Sequence, residues 1–244
     1  MVTRNDLLSE LGLLPRWRLR EPRVAVSEIT PEAGTEVLPP PQHADEGETR
    51  RARIAALDWT TLVSDVDACT ACGLCRTRNK TVPGVGDTGA EWLFVGEAPG
   101  AEEDARGEPF VGQAGRLLDN MLAAVGIARA RNVYIANVLK CRPPNNRTPE
   151  PGEVEACRPY LERQIALLQP KLIVALGRSA ASLLLHTDAT IASLRGRVHR
   201  YGGVPMVVTY HPAYLLRSLP DKAKAWEDLL LAQATVAEFA GGSR

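Results

Sequence analysis

Short apolar runs alternate with amphipathic stretches along most of the chain. Four runs have the length and the apolar, partly β-branched character of buried parallel strands. Helical periodicity fills the intervals between them and the end of the chain. This order predicts a three-layer α/β/α fold around a central, mostly parallel, four-stranded sheet. The predicted strands are residues 92–95, 133–138, 172–176 and 206–209, and the predicted helices are residues 114–125, 152–169, 178–185 and 221–239.

The first part of the chain has a different pattern. Residues 5–14 carry leucines on one helical face, and a proline and then arginines on both sides of Trp17 follow. Residues 21–51 hold five prolines among acidic and small residues without a sustained period, which predicts a disordered linker. The first segment is expected either to dock on a protein or DNA partner or to pack back onto the folded domain. The expected parts are a helix with a basic, Trp-containing segment (1–20), the linker (21–51) and one folded domain (52–244).

Composition limits the classes of function. The chain has 29 Lys and Arg against 29 Asp and Glu, so a basic field over the whole protein is excluded and any nucleic-acid site must be local. No apolar run approaches the roughly 20 residues of a membrane helix, and the first residues lack the apolar core of a signal peptide. Five cysteines are too few for a disulfide scaffold, and their number is odd, so they cannot all pair. We therefore expect a protein of the reducing cytoplasm whose clustered cysteines bind metal.

The spacing of the cysteines indicates one metal site. Cys69 and Cys72 form a C-x2-C pair, as do Cys72 and Cys75, while Cys141 and Cys157 follow the second predicted strand. Four thiolates from distant segments suit tetrahedral zinc or an iron–sulfur cluster. Because a zinc ribbon repeats the C-x2-C pair and this chain does not, the spacing favours a cluster. Ordinary buried cysteines are the alternative, and spacing leaves open which member of the first group is spare.

Three predicted strands lead into side chains that can carry chemistry. Glu97 follows the first strand in a Gly/Pro loop, Asn137 ends the second, and His211 follows the last. Ligands of parallel α/β sheets bind beyond the carboxyl ends of the strands, so one cleft is expected to hold all three. A carboxylate can orient water, an imidazole can stabilise an oxyanion, and a carboxamide matches the edge of a base. Together they indicate hydrolysis of an N-glycosidic bond, whereas each alone is also explained by a turn, a cap or a structural role.

The segment after His211 carries an apolar wedge that ends in a cation. Side chains of this kind enter DNA where a base is displaced, and arginine reaches phosphate. The alternative is the start of a leucine-rich helix packed in the core. The residues concerned are Tyr214, Leu215, Leu216 and Arg217.

Taken together, the motifs resemble one known family, the family 4 iron–sulfur uracil-DNA glycosylases of bacteria and archaea. The resemblance begins at Cys69 and covers about 170 residues up to the last predicted helix. It implies the α/β/α fold and a 4Fe-4S cluster with Cys75 as the spare cysteine. The ligands it implies are Cys69, Cys72, Cys141 and Cys157. The matching motifs, in the family's order, are Cys-Thr-Ala-Cys, GEAPGAEEDARGEPFVG, NVLKCRPPNNRTP, Cys157 and HPAYLLR.

The resemblance also implies a uracil pocket. Phe110 stacks on the uracil ring, and Asn137 bonds O4 and N3 of the base, which rejects cytosine because cytosine reverses both groups. His211 stabilises the charge that grows on O2 of the leaving base. Glu97 orients water or stabilises the sugar cation, and Glu103 blocks the methyl group of thymine. The remaining position of the pocket is Ala98, where some relatives have glycine.

The implied activity is that of a monofunctional uracil-DNA glycosylase, which leaves an abasic site without cutting the strand. Leu215 or Leu216 fills the space of the flipped base, and Arg147 and Arg217 lie near the DNA. Residues 142–147 lack the histidine with which a related branch traps DNA covalently, so turnover is expected. The expected partner is uracil-containing DNA, single- or double-stranded, bound by a monomer away from membranes. The competing hypothesis is an iron–sulfur DNA-binding or redox-sensing protein without glycosylase turnover.

Overall fold

A computed structural model describes residues 43–241 of the chain, with side chains over residues 47–238. The expectations for residues 1–20, and for the linker as far as residue 42, lie outside the described residues. The end of the expected linker is wrong, because helix α1 (His43–Ala55) occupies it. This helix is strongly polar and buries Ile54 close to its end, so its sequence shows no apolar stripe.

Six strands form a single sheet. They are β1 (Val85–Gly86), β2 (Trp92–Gly96), β3 (Val133–Asn137), β4 (Leu172–Leu176), β5 (Val198–Tyr201) and β6 (Val204–Thr209). Their spatial order is β1-β3-β2-β4-β6-β5. The four central strands are parallel, as predicted, and β1 and β5 are antiparallel edge strands that the sequence prediction lacked. These edges are short or half-exposed, and so carry no continuous apolar run.

Helices cover both faces of the sheet, which confirms the three-layer α/β/α fold. One core joins the sheet to α5 (Pro151–Leu168) and α6 (Arg178–Leu185) through residues such as Leu161 and Leu184. The other core joins it to α4 (Gln113–Ala124) and α9 (Asp221–Gly241) through Leu118 and Leu229. No helix in the described part of the chain is long and apolar enough to cross a membrane. The remaining helices are α2 (Trp59–Ala68), α3 (Ala101–Arg106), α7 (Ile191–Leu194) and α8 (Pro212–Leu215).

A third apolar cluster fixes the segment that carries the first cysteines. Ile54 of α1, Leu62 and Val66 of α2 and Tyr160 of α5 are each at most 1% exposed and pack together. Asp58 caps α2 by accepting from the backbone N–H of Thr61 at 2.8 Å. Because α2 ends one residue before Cys69, this packing sets the position of the cysteine segment against α5.

Candidate active site and cysteine cavity

The parallel register brings three strand ends to the carboxyl edge of the sheet. Gly96, at the end of β2, pairs with Asn137, at the end of β3. Glu97 follows directly, and its carbonyl accepts from the N–H of Leu139 at 3.0 Å, so the pairing continues beyond the strands. Strand β6 ends two residues before His211. The three strand-end side chains expected from the sequence therefore share one edge of the sheet.

The absence of a side chain at Gly96 makes room for its neighbours. A Cβ atom there would collide with Asn137 Oδ1 and would lie 2.9 Å from the Phe110 ring. The Phe110 ring in turn stacks with the ring of His211, with 5.5 Å between centroids and 29° between planes. Asn137, Phe110 and His211 therefore surround one space above Gly96.

Phe110 is held in an uncommon backbone conformation. Its φ angle is +54°, a region that non-glycine residues seldom adopt. The Arg129 guanidinium fixes this turn by donating to the carbonyls of Pro109 at 3.0 Å and of Phe110 at 2.9 Å. Gly115 of α4 is also required, since a Cβ atom there would overlap the Phe110 carbonyl. Strain that is held by several neighbours is typical of functional positions.

His211 is a neutral hydrogen-bond donor. The N–H of Ala213 donates to its Nδ1 at 3.1 Å, so we assign the ring proton to Nε2. Burial lowers the pKa of His211 to about 4, the Glu103 carboxylate opposes that shift, and the Arg217 cation adds to it. At neutral pH the imidazole is therefore uncharged and offers its Nε2–H to a ligand.

Asn137 is buried with an unbonded carboxamide. The residue is 2% exposed, and within residues 47–238 no group hydrogen-bonds its side chain. The fully buried side-chain atoms without a partner in the described residues are Ser182 Oγ and Thr209 Oγ1, so the Asn137 carboxamide keeps accessible surface and is open to a hydrogen bond from outside the chain. Its donor and acceptor lie side by side, which matches the edge of a nucleobase.

Two carboxylates next to this space differ in character. Burial raises the pKa of Glu97, and a hydrogen bond with Ser179 partly offsets that effect. Glu103 of α3 accepts from the N–H of Val111 at 3.0 Å and lies near enough to act on the pKa of His211. Ala98 is half-buried and packs against the core of α5 and α6. Its methyl side chain adds no polar group to the site.

All five cysteines are free and line one apolar cavity. The cavity lies between α2, the 3-10 turn Gly73–Arg76, the segment after β3 and α5. Leu74, Leu139 and Tyr160 form much of the remaining wall. Cys75 lines the cavity together with the other four, so lining alone does not identify the spare cysteine.

Hydrogen-bond donors point at the cysteine sulfurs. The Arg78 guanidinium donates to Cys141 Sγ at 3.1 Å, and the backbone N–H of Lys140 donates to Cys157 Sγ at 3.2 Å. Burial raises the pKa of Cys157 to about 12, so a thiolate there needs a cationic centre. Donors to sulfur in an apolar shell are the surroundings that iron–sulfur clusters have in proteins.

The cysteines line the cavity together with apolar side chains. No group of three or more His, Cys, Asp or Glu side chains within the described residues is arranged to hold a single ion. Zinc needs each sulfur within about 2.3 Å of the metal, whereas the corners of a cluster hold sulfurs farther apart. Four thiolates in an apolar shell are a donor set that an iron–sulfur cluster accepts.

Lys140 connects this cavity to the strand end at Asn137. Its side chain is fully buried, and its Nζ donates to the Asn137 carbonyl at 2.7 Å and to Gln164 Oε1 at 2.6 Å. Burial lowers the pKa of Lys140 to about 8. Since Cys141 is the next residue, four consecutive peptide bonds join the open carboxamide to a cavity cysteine.

Comparison with known proteins identifies the family. A profile of the Uracil DNA glycosylase superfamily matches residues 83–230. The chain belongs to this superfamily. The type-4 uracil-DNA glycosylase of Archaeoglobus fulgidus is 49% identical over 163 residues, which cover 64% of this chain and 81% of that protein. The type-4 enzyme of Thermotoga maritima is 48% identical over 161 residues (65% and 83%), and that of Pyrobaculum aerophilum is 43% identical over 183 residues (72% and 93%).

These identities place the chain with the type-4 uracil-DNA glycosylases and confirm the resemblance of its motifs. A type-5 uracil-DNA glycosylase of Pyrobaculum aerophilum is 34% identical over 152 residues, which cover 56% of this chain and 67% of that protein. The lower identity to the type-5 protein agrees with the type-4 assignment.

In this type-4 chain the segment after His211 separates into buried and exposed side chains. Leu215 is 1% exposed and packs with Tyr210 and Ala225, so it is a core residue in this structure, and its contact with DNA stays a prediction. Leu216 is 41% exposed. The turn of α8 explains the difference, because adjacent residues of a helix face different directions.

Tyr214 and Arg217 remain at the surface. Tyr214 is 39% exposed, its ring stacks on Tyr210 with 5.2 Å between centroids, and its hydroxyl donates to Asp221 Oδ2 at 2.7 Å. Arg217 is exposed and makes no ion pair or hydrogen bond through its side chain within residues 47–238. The exposed face of this segment therefore consists of Tyr214, Leu216 and Arg217.

Arg147 is paired with two glutamates in this structure, and its expected contact with DNA stays a prediction. Its guanidinium donates to both carboxylate oxygens of Glu153, at 2.9 and 2.6 Å, and lies 3.2 Å from Glu150. Glu153 is buried at the start of α5. The charge of Arg147 is thus already compensated, and the residue anchors the helix that carries Cys157.

Several residues that organise the site were missed by the sequence reasoning. Arg129 fixes Phe110, while Arg78 and Lys140 serve the cysteines. Arg50 donates to Cys69 Sγ at 3.6 Å and lies over the Tyr160 ring, 5.0 Å from its centroid. Of these residues only Lys140 could have been found from the sequence, because it is a cation between a buried strand and a cysteine. The arginines lie in polar stretches without a local pattern.

Proposed function

We propose that this chain is a monofunctional uracil-DNA glycosylase. It hydrolyses the N-glycosidic bond of deoxyuridine in DNA and releases uracil, leaving an abasic site, which is the first step of base excision repair. The observation that carries this proposal is the open carboxamide of buried Asn137 beside Phe110 and a neutral His211. Family membership and relatives named as type-4 uracil-DNA glycosylases support it.

Base recognition uses Asn137 and Phe110. The carboxamide donates to O4 of uracil and accepts from N3–H, and cytosine would present the opposite pattern. The Phe110 ring, fixed by its strained backbone, stacks on the flipped base. In this proposal Glu103, which accepts from the N–H of Val111, excludes the methyl group of thymine, and Ala98 is a spacer without polar atoms.

Bond cleavage uses His211 and Glu97. As the bond lengthens, negative charge grows on uracil O2, and the neutral Nε2–H of His211 donates to it; one donor of this kind contributes about 3 kcal/mol. The Glu97 carboxylate orients water or stabilises the cationic sugar. The burial that raises the pKa of Glu97 also strengthens its field at the reacting atoms.

The DNA is held by the exposed face of the segment after His211. Leu216 fills the space left by the flipped base, and Arg217 and Tyr214 contact the strand beside it. Leu215 supports this segment from within the core.

The cysteine cavity holds a 4Fe-4S cluster in this proposal. Cys69, Cys72, Cys141 and Cys157 are the ligands, and Cys75 is the spare. When bound, the cluster cross-links α2, the segment after β3 and α5. The protein works as a monomer in the cytoplasm, where reducing conditions keep its cysteines free. The redox-sensing or DNA-binding alternative is not favoured, because an electron carrier needs no open carboxamide beside a neutral imidazole.

The decisive test is release of uracil from a defined oligonucleotide. Purified protein is incubated with single-stranded and U:G duplex DNA, and alkali then cleaves abasic sites. We expect cleavage at the uracil position only after alkali, and a loss of about 100-fold or more with Asn137→Ala. Asn120→Ala, at an exposed position of α4, is the matched control and should keep full activity. An intact strand at high protein concentration would contradict the proposal.

A second measurement tests the cluster. The purified protein should be brown, with a broad visible absorption band and about four irons per chain. Serine at any of the four proposed ligands should abolish the band, whereas Cys75→Ser should keep it. Stoichiometric zinc without visible absorption would contradict the assignment.

A further inference from the structure

A basic loop beside the cysteine cavity carries two cations, Arg76 and Lys80, that have no part in the chemistry described above. Residues 76–80 read Arg-Thr-Arg-Asn-Lys, with three cations and no acidic residue. This basic loop begins at the last residue of the 3-10 turn Gly73–Arg76. Arg78, Asn79 and Lys80 line an open groove that reaches Gly107 at the end of α3 and that Asp67 also lines, whereas Arg76 lies outside this lining. The groove is on the surface, next to the wall of the cavity.

A buried carboxylate fixes the conformation of the basic loop. Asp104 of α3 is 1% exposed and accepts from the Asn79 backbone N–H at 2.9 Å, the Asn79 carboxamide at 2.6 Å and the Lys80 N–H at 3.4 Å. The loop is therefore ordered before any ligand arrives, which reduces the entropic cost of binding.

Two cations of this loop are uncompensated. Arg78 is occupied by Cys141 Sγ and by the Asp67 carbonyl at 2.9 Å. The exposed side chains of Arg76 and Lys80 make no ion pair or hydrogen bond with the rest of the described chain. Both therefore present full positive charge to solvent, in contrast to the paired Arg147 described above.

The basic loop lies close to the proposed pocket. A Cβ atom at Gly107 would be 3.4 Å from Lys80 Cδ, and Phe110 is three residues farther along the chain. Three residues span at most about 10 Å. A DNA strand carries a phosphate about every 3.4 Å along the helix axis, so Lys80 lies within a few phosphates of the nucleotide in the pocket.

We propose that the basic loop is a phosphate-binding surface for the DNA strand whose uracil occupies the pocket, with Arg76 and Lys80 each contacting one phosphate. The proposal rests on the proposed function and adds where the strand continues beyond the pocket. Such contacts set position and affinity without reading sequence. The bond from Arg78 to Cys141 Sγ ties this surface to the cysteine cavity.

The test compares two double variants of the full-length protein. Arg76→Ala/Lys80→Ala removes both cations. As a control, Arg131→Ala/Arg200→Ala removes two exposed cations, of which Arg131 lies just before β3 and Arg200 lies on β5 opposite Pro205 of β6. Binding of a labelled, uracil-free single strand is measured by fluorescence anisotropy over a range of KCl concentrations. A lost phosphate contact lowers the slope of log Kd against log[KCl] by about 0.7 for a single strand, so we expect the loop variant to lose about 1.4.

At about 0.1 M KCl this corresponds to roughly 25-fold weaker binding, whereas the control should match the wild type. Uracil release at saturating DNA should be unchanged in the loop variant, because the pocket is intact. Arg76→Lys/Lys80→Arg keeps both charges and should restore the slope. A loop variant with the wild-type slope overturns the proposal. If the wild type releases no uracil yet shows the loop-dependent slope, the proposed function fails and the phosphate surface stands.

Discussion

At the residue scale, Gly96 controls whether the pocket can form. Gly96→Ala would drive Asn137 and Phe110 apart, and misplacement by about 1 Å lowers rates by about 100-fold. We expect a loss of kcat/KM of that size in uracil release, with the cluster absorption retained. Gly152→Ala on α5 has nothing within 4 Å of the new Cβ and should leave activity unchanged. Near-normal activity of Gly96→Ala would show that these two side chains need not be held in place.

His211 gives the folded protein a pH dependence of known sign. Its pKa falls from 6.5 in the unfolded chain to about 4 in the fold, so the unfolded chain binds the proton first as pH drops. Stability from this residue is complete above pH 6.5 and is lost towards pH 4, with about 2 kcal/mol lost between pH 7 and pH 5. Urea unfolding at both pH values should show a smaller difference for His211→Gln than for the wild type. Equal differences would contradict the lowered pKa.

Glu97 should govern the acid side of the activity profile. Burial raises its pKa above the ordinary value of 4.5, so the active carboxylate is lost at a higher pH than usual. The value of kcat/KM should therefore fall as the pH is lowered into the acid range. Glu97→Gln should have a low kcat/KM that does not change with pH in that range. If Glu97→Gln retains the same acid fall, another group causes it.

The sequence pointed to the pocket residues because parallel topology brings successive strand ends together. The rule predicts that Glu97, Asn137 and His211 lie at one edge of the sheet, and the register of the strands confirms that placement. The partners that hold the pocket could not be found in this way. Arg129 reaches Phe110 across nineteen residues and Lys140 reaches Gln164 across twenty-four, and no local periodicity encodes such contacts.

At the element scale, helix α8 separates stability from DNA binding. Leu215→Ala should lower the free energy of unfolding by about 2–5 kcal/mol, since it empties a buried position. Leu216→Ala should leave stability unchanged and slow uracil release from duplex DNA more than from single strands, because only a duplex leaves a gap to fill. Urea unfolding and both excision assays check this pair. A large loss of stability with Leu216→Ala would contradict the division.

Elements with a buried run of their own were predictable, and the others were not. The four parallel strands are wholly or almost wholly buried, so their apolar runs show in the sequence. Strand β1 has two residues, and β5 alternates between exposed and half-buried positions. Helix α1 escaped prediction because it depends on contacts made by a few side chains, with Ile54 in the core and Arg50 over Tyr160.

At the scale of the whole molecule, the folded unit should begin before α1. A chain that starts at residue 42 keeps the contacts of Ile54 and Arg50, whereas a chain that starts at residue 57 loses both. We expect the first form to retain iron and uracil release, and the second to lose iron and melt at a lower temperature. Iron content and thermal melting of both forms test this. Full iron retention by the shorter form would show that α1 is dispensable for the cavity.

Lys140 links the pocket to the cysteine cavity, so the state of the cavity should affect the pocket. This has a consequence for work with the purified protein. The ammonium of Lys140 donates to the backbone carbonyl of Asn137 while its own backbone N–H donates to Cys157 Sγ, so loss of the proposed cluster should disturb the carboxamide proposed to select the base. A preparation that has lost visible absorbance in air should therefore have lost activity in the same proportion. The ratio of visible to ultraviolet absorbance should then report the fraction of active protein before any DNA is added.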